Sequence, residues 1–131
     1  MPTIIADSGA LIALLNTRDD HHEWAVRVVR PLPKPWIVCG AALIETTHHF
    51  GNHPRVIDAM IEQLPTFILE DPEPLKVLEL MRRYAPRMDY ADACAVLLFL
   101  AHKNSVVVTT DHRDFATYKV PFISPKGSFH F

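Results

Sequence analysis

At 131 residues, 49% hydrophobic and 21% charged, the chain has material for one core rather than two. Its composition is that of a globular protein, not a disordered or fibrous one. A formal net charge of −2 and a pI near 6.4 argue against a blanket-basic nucleic-acid binder while leaving room for a local basic rim. Apolar runs stop short of the ~20 residues a membrane span needs, and Asp7 interrupts the N-terminal run before any leader forms.

In chain order, "TIIA" (3–6) predicts a strand and "SGALIALLN" a buried helix. "DDHHEWAVRVVR" opens on good capping residues and turns Trp24, Val28 and Val29 to one side. "WIVC" (36–39) is the second strand and "AALIETTHHF" a helix that ends at Gly51. "PRVIDAMIEQL" starts on Pro54 in its first turn, and its pattern points Val56, Ile57, Met60, Ile61 and Leu64 inward. "TFILE" (66–70) is strand three, and "PEPLKVLELMRRYA" is an amphipathic helix. "MDYADACAVLLFLAHK" (88–103) is the longest buried helix, "VVVTT" (106–110) strand four, and "FIS" (122–124) a short fifth. Strands separated by helices require crossover connections, which predicts a three-layer α/β/α sandwich. Its central sheet is mainly parallel, with four or five strands, in a single domain over 1–131. Cys39 and Cys94 stand outside any CxxC or zinc spacing, so buried thiols and a cytoplasmic address are expected.

In parallel sheets ligands sit outside the carboxyl ends of the strands. Asp7 follows "TIIA" directly, and Asp111 follows "VVVTT". Either serves equally well as a helix N-cap, as does Asp89. Asp92 is harder to dismiss, because its neighbours are small or apolar and an unpaired buried charge is costly. Glu45 lies one turn into the helix after strand two. Brought together, Asp7, Glu45, Asp92 and Asp111 would repel one another, and each would be pushed toward its neutral form. A divalent cation removes that penalty, and an all-oxygen donor set suits Mg²⁺ or Mn²⁺ better than zinc. Such a site activates water for attack on a phosphate ester.

"ADSGALIALLN" around Asp7, "ALIETTH" around Glu45, "MDYADACAVLLFLAHK" around Asp92 and "VVVTTDHRDF" around Asp111 together resemble the four acidic motifs of the PIN domain. Their order and spacing, and the chain length, resemble those of the single-domain VapC toxins of VapBC toxin–antitoxin systems. That resemblance implies an endoribonuclease that needs Mg²⁺ or Mn²⁺ and leaves a 5′-phosphate and a 3′-hydroxyl. It assigns metal binding to Asp7, Glu45, Asp92 and Asp111, and assisting roles to Ser8, Asp89, Thr109, Thr110 and Asp114. It further implies a homodimer and inhibition by a VapB-type antitoxin that inserts into the active groove.

Arg87 and Arg113 flank acidic motifs in sequence, where phosphate oxygens of an RNA substrate need neutralising. His48 and His49 are read as solvated or capping groups, with a part in the site or in substrate contact left open. The C-terminal "SPKGSFHF" either packs on the sheet or frames the groove. P-loop, GxGxxG, GxSxG and HExxH patterns are absent. Two other readings stay open: a DNA-directed metal nuclease or phosphatase, and a non-catalytic module that docks RNA or protein and uses its carboxylates only as caps.

Overall fold

The computed structural model describes residues 1–131. The β-branched runs form β1 (Thr3–Ala6), β2 (Trp36–Val38), β3 (Phe67–Leu69), β4 (Ser105–Val108) and β5 (Phe122–Ser124), all parallel where they pair. Between them lie α1 (Ser8–Leu15), α2 (His22–Trp24, continued by a wider turn over Ala25–Val29), α3 (Gly40–His49) and α4 (Pro54–Gln63). The second half adds α5 (Pro74–Arg83), α6 (Tyr90–Ala101) and α7 (His112–Tyr118). A sixth strand, β6 (Gly127–Phe129), returns antiparallel beside β5. The "SPKGSFHF" tail therefore packs on the sheet, and the sheet has one strand more than expected. Three residues with no alternation gave that strand no signature of its own.

The strand order is β3–β2–β1–β4–β5–β6. From β1 the chain moves toward β2 and β3, whereas from β4 it moves the other way toward β5. Parallel crossovers are right-handed almost without exception, so this reversal sets α1 to α4 on one face and α5 to α7 on the other. It also opens a crevice between the carboxyl ends of β1 and β4, the switch point where α/β sheets bind ligands. Asp7 and Asp111 leave the sheet at this place. Thr3 to Ala6 pair in register with Ser105 to Val108, and the Asp7 N–H continues the ladder to the Val108 carbonyl at 3.0 Å.

The core explains why the central strands read as unbroken apolar runs. Ile4, Ile5, Ile37, Val38, Val107 and Val108 are each no more than 2% exposed, as expected for a sheet covered on both faces. All of α6 from Ala91 to Val96 is buried, and so are both thiols, Cys39 and Cys94.

Elsewhere the expectations need correction. Strand four ends at Val108, leaving Thr109 and Thr110 in the turn that aims Asp111. On α4 only Met60 is buried; Ile57, Ile61 and Leu64 are 40%, 58% and 40% exposed. The apolar stripe is real, but this chain does not cover it. Ile68 and Leu69 on the edge strand β3, and Leu75 and Leu78 on α5, are exposed as well.

Candidate active site

Each acidic residue reaches the crevice through ordinary local structure. Asp7 is the N-cap of α1, its Oδ1 accepting the Ser8 N–H at 2.9 Å. Asp89 caps α6 by accepting the Asp92 N–H at 2.8 Å, and Asp111 caps α7 by accepting the Asp114 N–H at 3.0 Å. The capping reading is thus correct for all three, and capping is what holds these carboxylates at helix starts that face the switch point. Gly9 contributes by its lack of a side chain, because a Cβ there would run into the Thr110 hydroxyl.

Asp7, Glu45, Asp92 and Asp111 all line one open cleft of about 420 Å³, together with Ser8, Asp89, Thr110, His48 and His49. Asp114 is half-buried beside the cleft rather than in its lining, and carboxylate oxygens of Asp92, Asp111 and Asp114 come within 4.8 Å of one another. His48 and His49 are exposed on α3 at the cleft wall. Of the two arginines, Arg87 donates from Nε to Asp114 Oδ1 at 2.7 Å, so that part of its donor set is engaged by protein, while Arg113 is exposed on α7.

Neutral hydroxyls hold the carboxylates. Thr109 Oγ1 donates to Asp7 Oδ2 at 3.0 Å and accepts the Asp111 N–H at 3.0 Å, tying the two switch-point acids to one buried atom. Ser8 Oγ donates to Glu45 Oε1 at 2.8 Å. The Tyr118 phenol donates to Asp92 Oδ2 at 2.9 Å. Sequence reasoning missed Tyr118. Its only signal was a place seven residues after Asp111 and four after Asp114, on the same stripe of α7.

Burial and repulsion raise Asp7, Asp92 and Asp111. Asp7 is pushed from 3.8 to about 6, chiefly by desolvation, with the charges of Glu45 and Asp89 adding to it; hydrogen bonds from Ser8 and Thr109 pull the other way. Asp92 rises to about 7, through desolvation and then the charge of Asp89, against the Tyr118 hydrogen bond. Desolvation also raises Asp111. For Asp114 burial acts upward, but the hydrogen bonds from Arg87 and Asp111 outweigh it and hold the carboxyl below its ordinary value. The tight part of the site is therefore three carboxylates, Asp92, Asp111 and Asp114, with Asp7 and Glu45 in the same cleft and the two histidines at its wall. The carboxylate oxygens fit a hard divalent cation, which would offset both the burial and the mutual repulsion that raise Asp7 and Asp92.

This is a mainly parallel α/β sheet with an acidic cleft at its switch point, and solved toxin structures share its fold. Mycobacterium tuberculosis VapC20, described as a sarcin–ricin loop cleaving toxin, superposes with a TM-score of 0.75 at 21% identity, over 90% of this chain and 96% of that one. A toxin–antitoxin complex from Klebsiella pneumoniae contains a chain that matches with a TM-score of 0.66 at 17% identity, over 98% of this chain and 99% of that one. No protein-family model and no curated relative matches the sequence.

Proposed function

We propose that this protein is a metal-dependent endoribonuclease, the toxin half of a toxin–antitoxin pair. The observation that carries the reading is the meeting of Asp7, Glu45, Asp92 and Asp111, residues up to 104 positions apart in sequence, in one cleft at the sheet's switch point. Caps need no such convergence. The likeness to an RNA-cleaving toxin and to a toxin–antitoxin complex supports both the substrate class and an antitoxin partner. No helix is long and apolar enough to cross a membrane, and the proposal sets the protein in the cytoplasm.

Asp7, Glu45, Asp92 and Asp111 would hold Mg²⁺ or Mn²⁺, with Asp114 beside them. The bound ion supplies Lewis acidity toward water and the phosphate ester. The chain's own groups do the rest. Thr109 and Ser8 fix the oxygens of Asp7 and Glu45, and Asp89 sets the start of the helix that delivers Asp92. Thr110 lines the cleft over Gly9. Arg113 and the free nitrogens of Arg87 neutralise phosphate oxygens that approach the acidic rim.

A homodimer is part of the proposal. Its support is the uncovered apolar stripe of α4 and the residue after it (Ile57, Ile61 and Leu64).

The test incubates the purified chain with total RNA or plasmid DNA in Mg²⁺, with and without EDTA, beside Asp7→Asn as a control for contaminating nuclease. RNA cleavage that depends on metal and on Asp7 is expected. Plasmid cleavage without RNA cleavage would favour the DNA-directed reading, and cleavage of neither would leave a binding module.

A further inference from the structure

One short helix and its cap supply three groups to the acidic cluster around Asp92. Asp111, Asp114 and Tyr118 recur at i, i+3 and i+7 on α7, so they share a stripe that faces Asp92 on α6. Tyr118 is 7% exposed, and its ring is held edge-on by Tyr84 at 5.2 Å and by Phe115 at 5.4 Å. The phenol of so fixed a ring can point in few directions. Here it points at Asp92 Oδ2, 2.9 Å away across 26 residues of sequence.

We propose that Tyr118 is a positioning residue for Asp92: it pins one carboxylate oxygen with a neutral donor and leaves the charge, and Oδ1, to a divalent cation. The inference rests on the metal-nuclease reading and deepens it.

First, a buried phenol needs a partner, but a backbone carbonyl would serve for packing alone. This phenol takes a carboxylate of the acidic cluster instead. Second, a carboxylate turns easily about its terminal torsion, which has broad wells, so a free Asp92 would present its oxygens in many orientations. A directional bond from a ring that is itself packed selects one. No hydrogen bond from the chain reaches Asp92 Oδ1, whereas Oδ2 is taken. Third, the donor is uncharged. Asp114 shows the contrast, since its Oδ1 is in an ion pair with Arg87. A guanidinium at Asp92 would orient the carboxylate equally well but cancel the charge that attracts a cation. The same device recurs at the neighbouring acids, with Thr109 on Asp7 and Ser8 on Glu45.

Partners in the outer shell of a metal site are worth roughly 10–100-fold in affinity or activity. The experiment titrates the metal-free full-length protein with Mn²⁺ and follows the free ion by electron paramagnetic resonance, for wild type, Tyr118→Phe and Tyr84→Phe. Tyr118→Phe keeps the ring and removes only the hydroxyl, so about tenfold weaker Mn²⁺ binding is expected. Tyr84→Phe removes a hydroxyl from the ring packed against Tyr118 and should bind as wild type does. In RNA cleavage the Mn²⁺ concentration for half-maximal rate should rise with Tyr118→Phe by the same factor, with the KM for RNA unchanged. Three results overturn the assignment: wild-type Mn²⁺ affinity in Tyr118→Phe, an equal loss in Tyr84→Phe, or a Tyr118→Phe chain that no longer folds by circular dichroism. A wild-type chain that binds no Mn²⁺ is a separate result, because it removes the nuclease reading itself.

Discussion

Replacing Asp7 by asparagine removes a charge that the metal-free fold holds at a cost. The carboxyl titrates near 3.8 when the chain is unfolded and near 6 when it is folded. Below about pH 4 both states carry the proton and no penalty exists. As pH rises toward 6 the unfolded chain releases its proton while the folded chain keeps it, so stability falls across that window and stays low above it. At about 1.4 kcal/mol per pKa unit the penalty comes to about 3 kcal/mol at pH 8. The asparagine side chain escapes it but offers one acceptor oxygen where the Ser8 N–H and the Thr109 hydroxyl need two, at a cost of about 1 kcal/mol. The balance is a gain of about 2 kcal/mol. For a chain of this size each kcal/mol moves Tm by about 3–5 °C. Differential scanning calorimetry in EDTA at pH 8 should therefore find Asp7→Asn melting about 6–10 °C above wild type, with the gap closing toward pH 4. Addition of Mn²⁺ should reverse the order: at a hundredfold excess over Kd the wild type gains about 2.7 kcal/mol and the variant gains little. A metal-free Asp7→Asn protein no more stable than wild type at pH 8 would refute the reasoning. Asp7 would then be a cap and nothing more.

Two further outcomes are expected. Thr109→Val keeps the side-chain volume but deprives Asp7 Oδ2 and the Asp111 N–H of their common partner, so urea denaturation should show a loss of about 1–3 kcal/mol; a change below about 0.5 kcal/mol would mean that the bridge is not structural. Ile61→Glu sets a charge in the exposed apolar stripe of α4, so sedimentation equilibrium should find the dimer weakened by about 3 kcal/mol, roughly a hundredfold in Kd. A wild type that sediments as a monomer would remove the dimer from the proposal.

The parts of this molecule that were legible in its sequence are those governed by local rules. Val106 to Val108 and Ile4 to Ile5 announce doubly buried strands, and Asp7 and Asp111 fall where strands hand over to helices. Asp92 was conspicuous because a carboxylate among alanines had no local explanation. What sequence could not supply depends on partners far along the chain. The Tyr118 phenol reads as a core aromatic until the fold brings α6 under it. Arg87 reads as a free cation until Asp114 takes its Nε. On α4 the periodicity correctly marks an apolar face, but no period says whether the surface that covers it belongs to the same chain. Only Met60 turned out to be covered from within.

The pairing of β1 with β4 has a consequence for synthesis. The Thr109 hydroxyl that anchors Asp7 lies 102 residues downstream of it, so a growing polypeptide carries Asp7 through all of that synthesis without its anchor. Premature release anywhere before the fourth strand yields a fragment without Thr109, Asp111, Asp114 and Tyr118. The proposed cutting edge therefore cannot assemble on the ribosome until the fourth strand and the helix after it have been made.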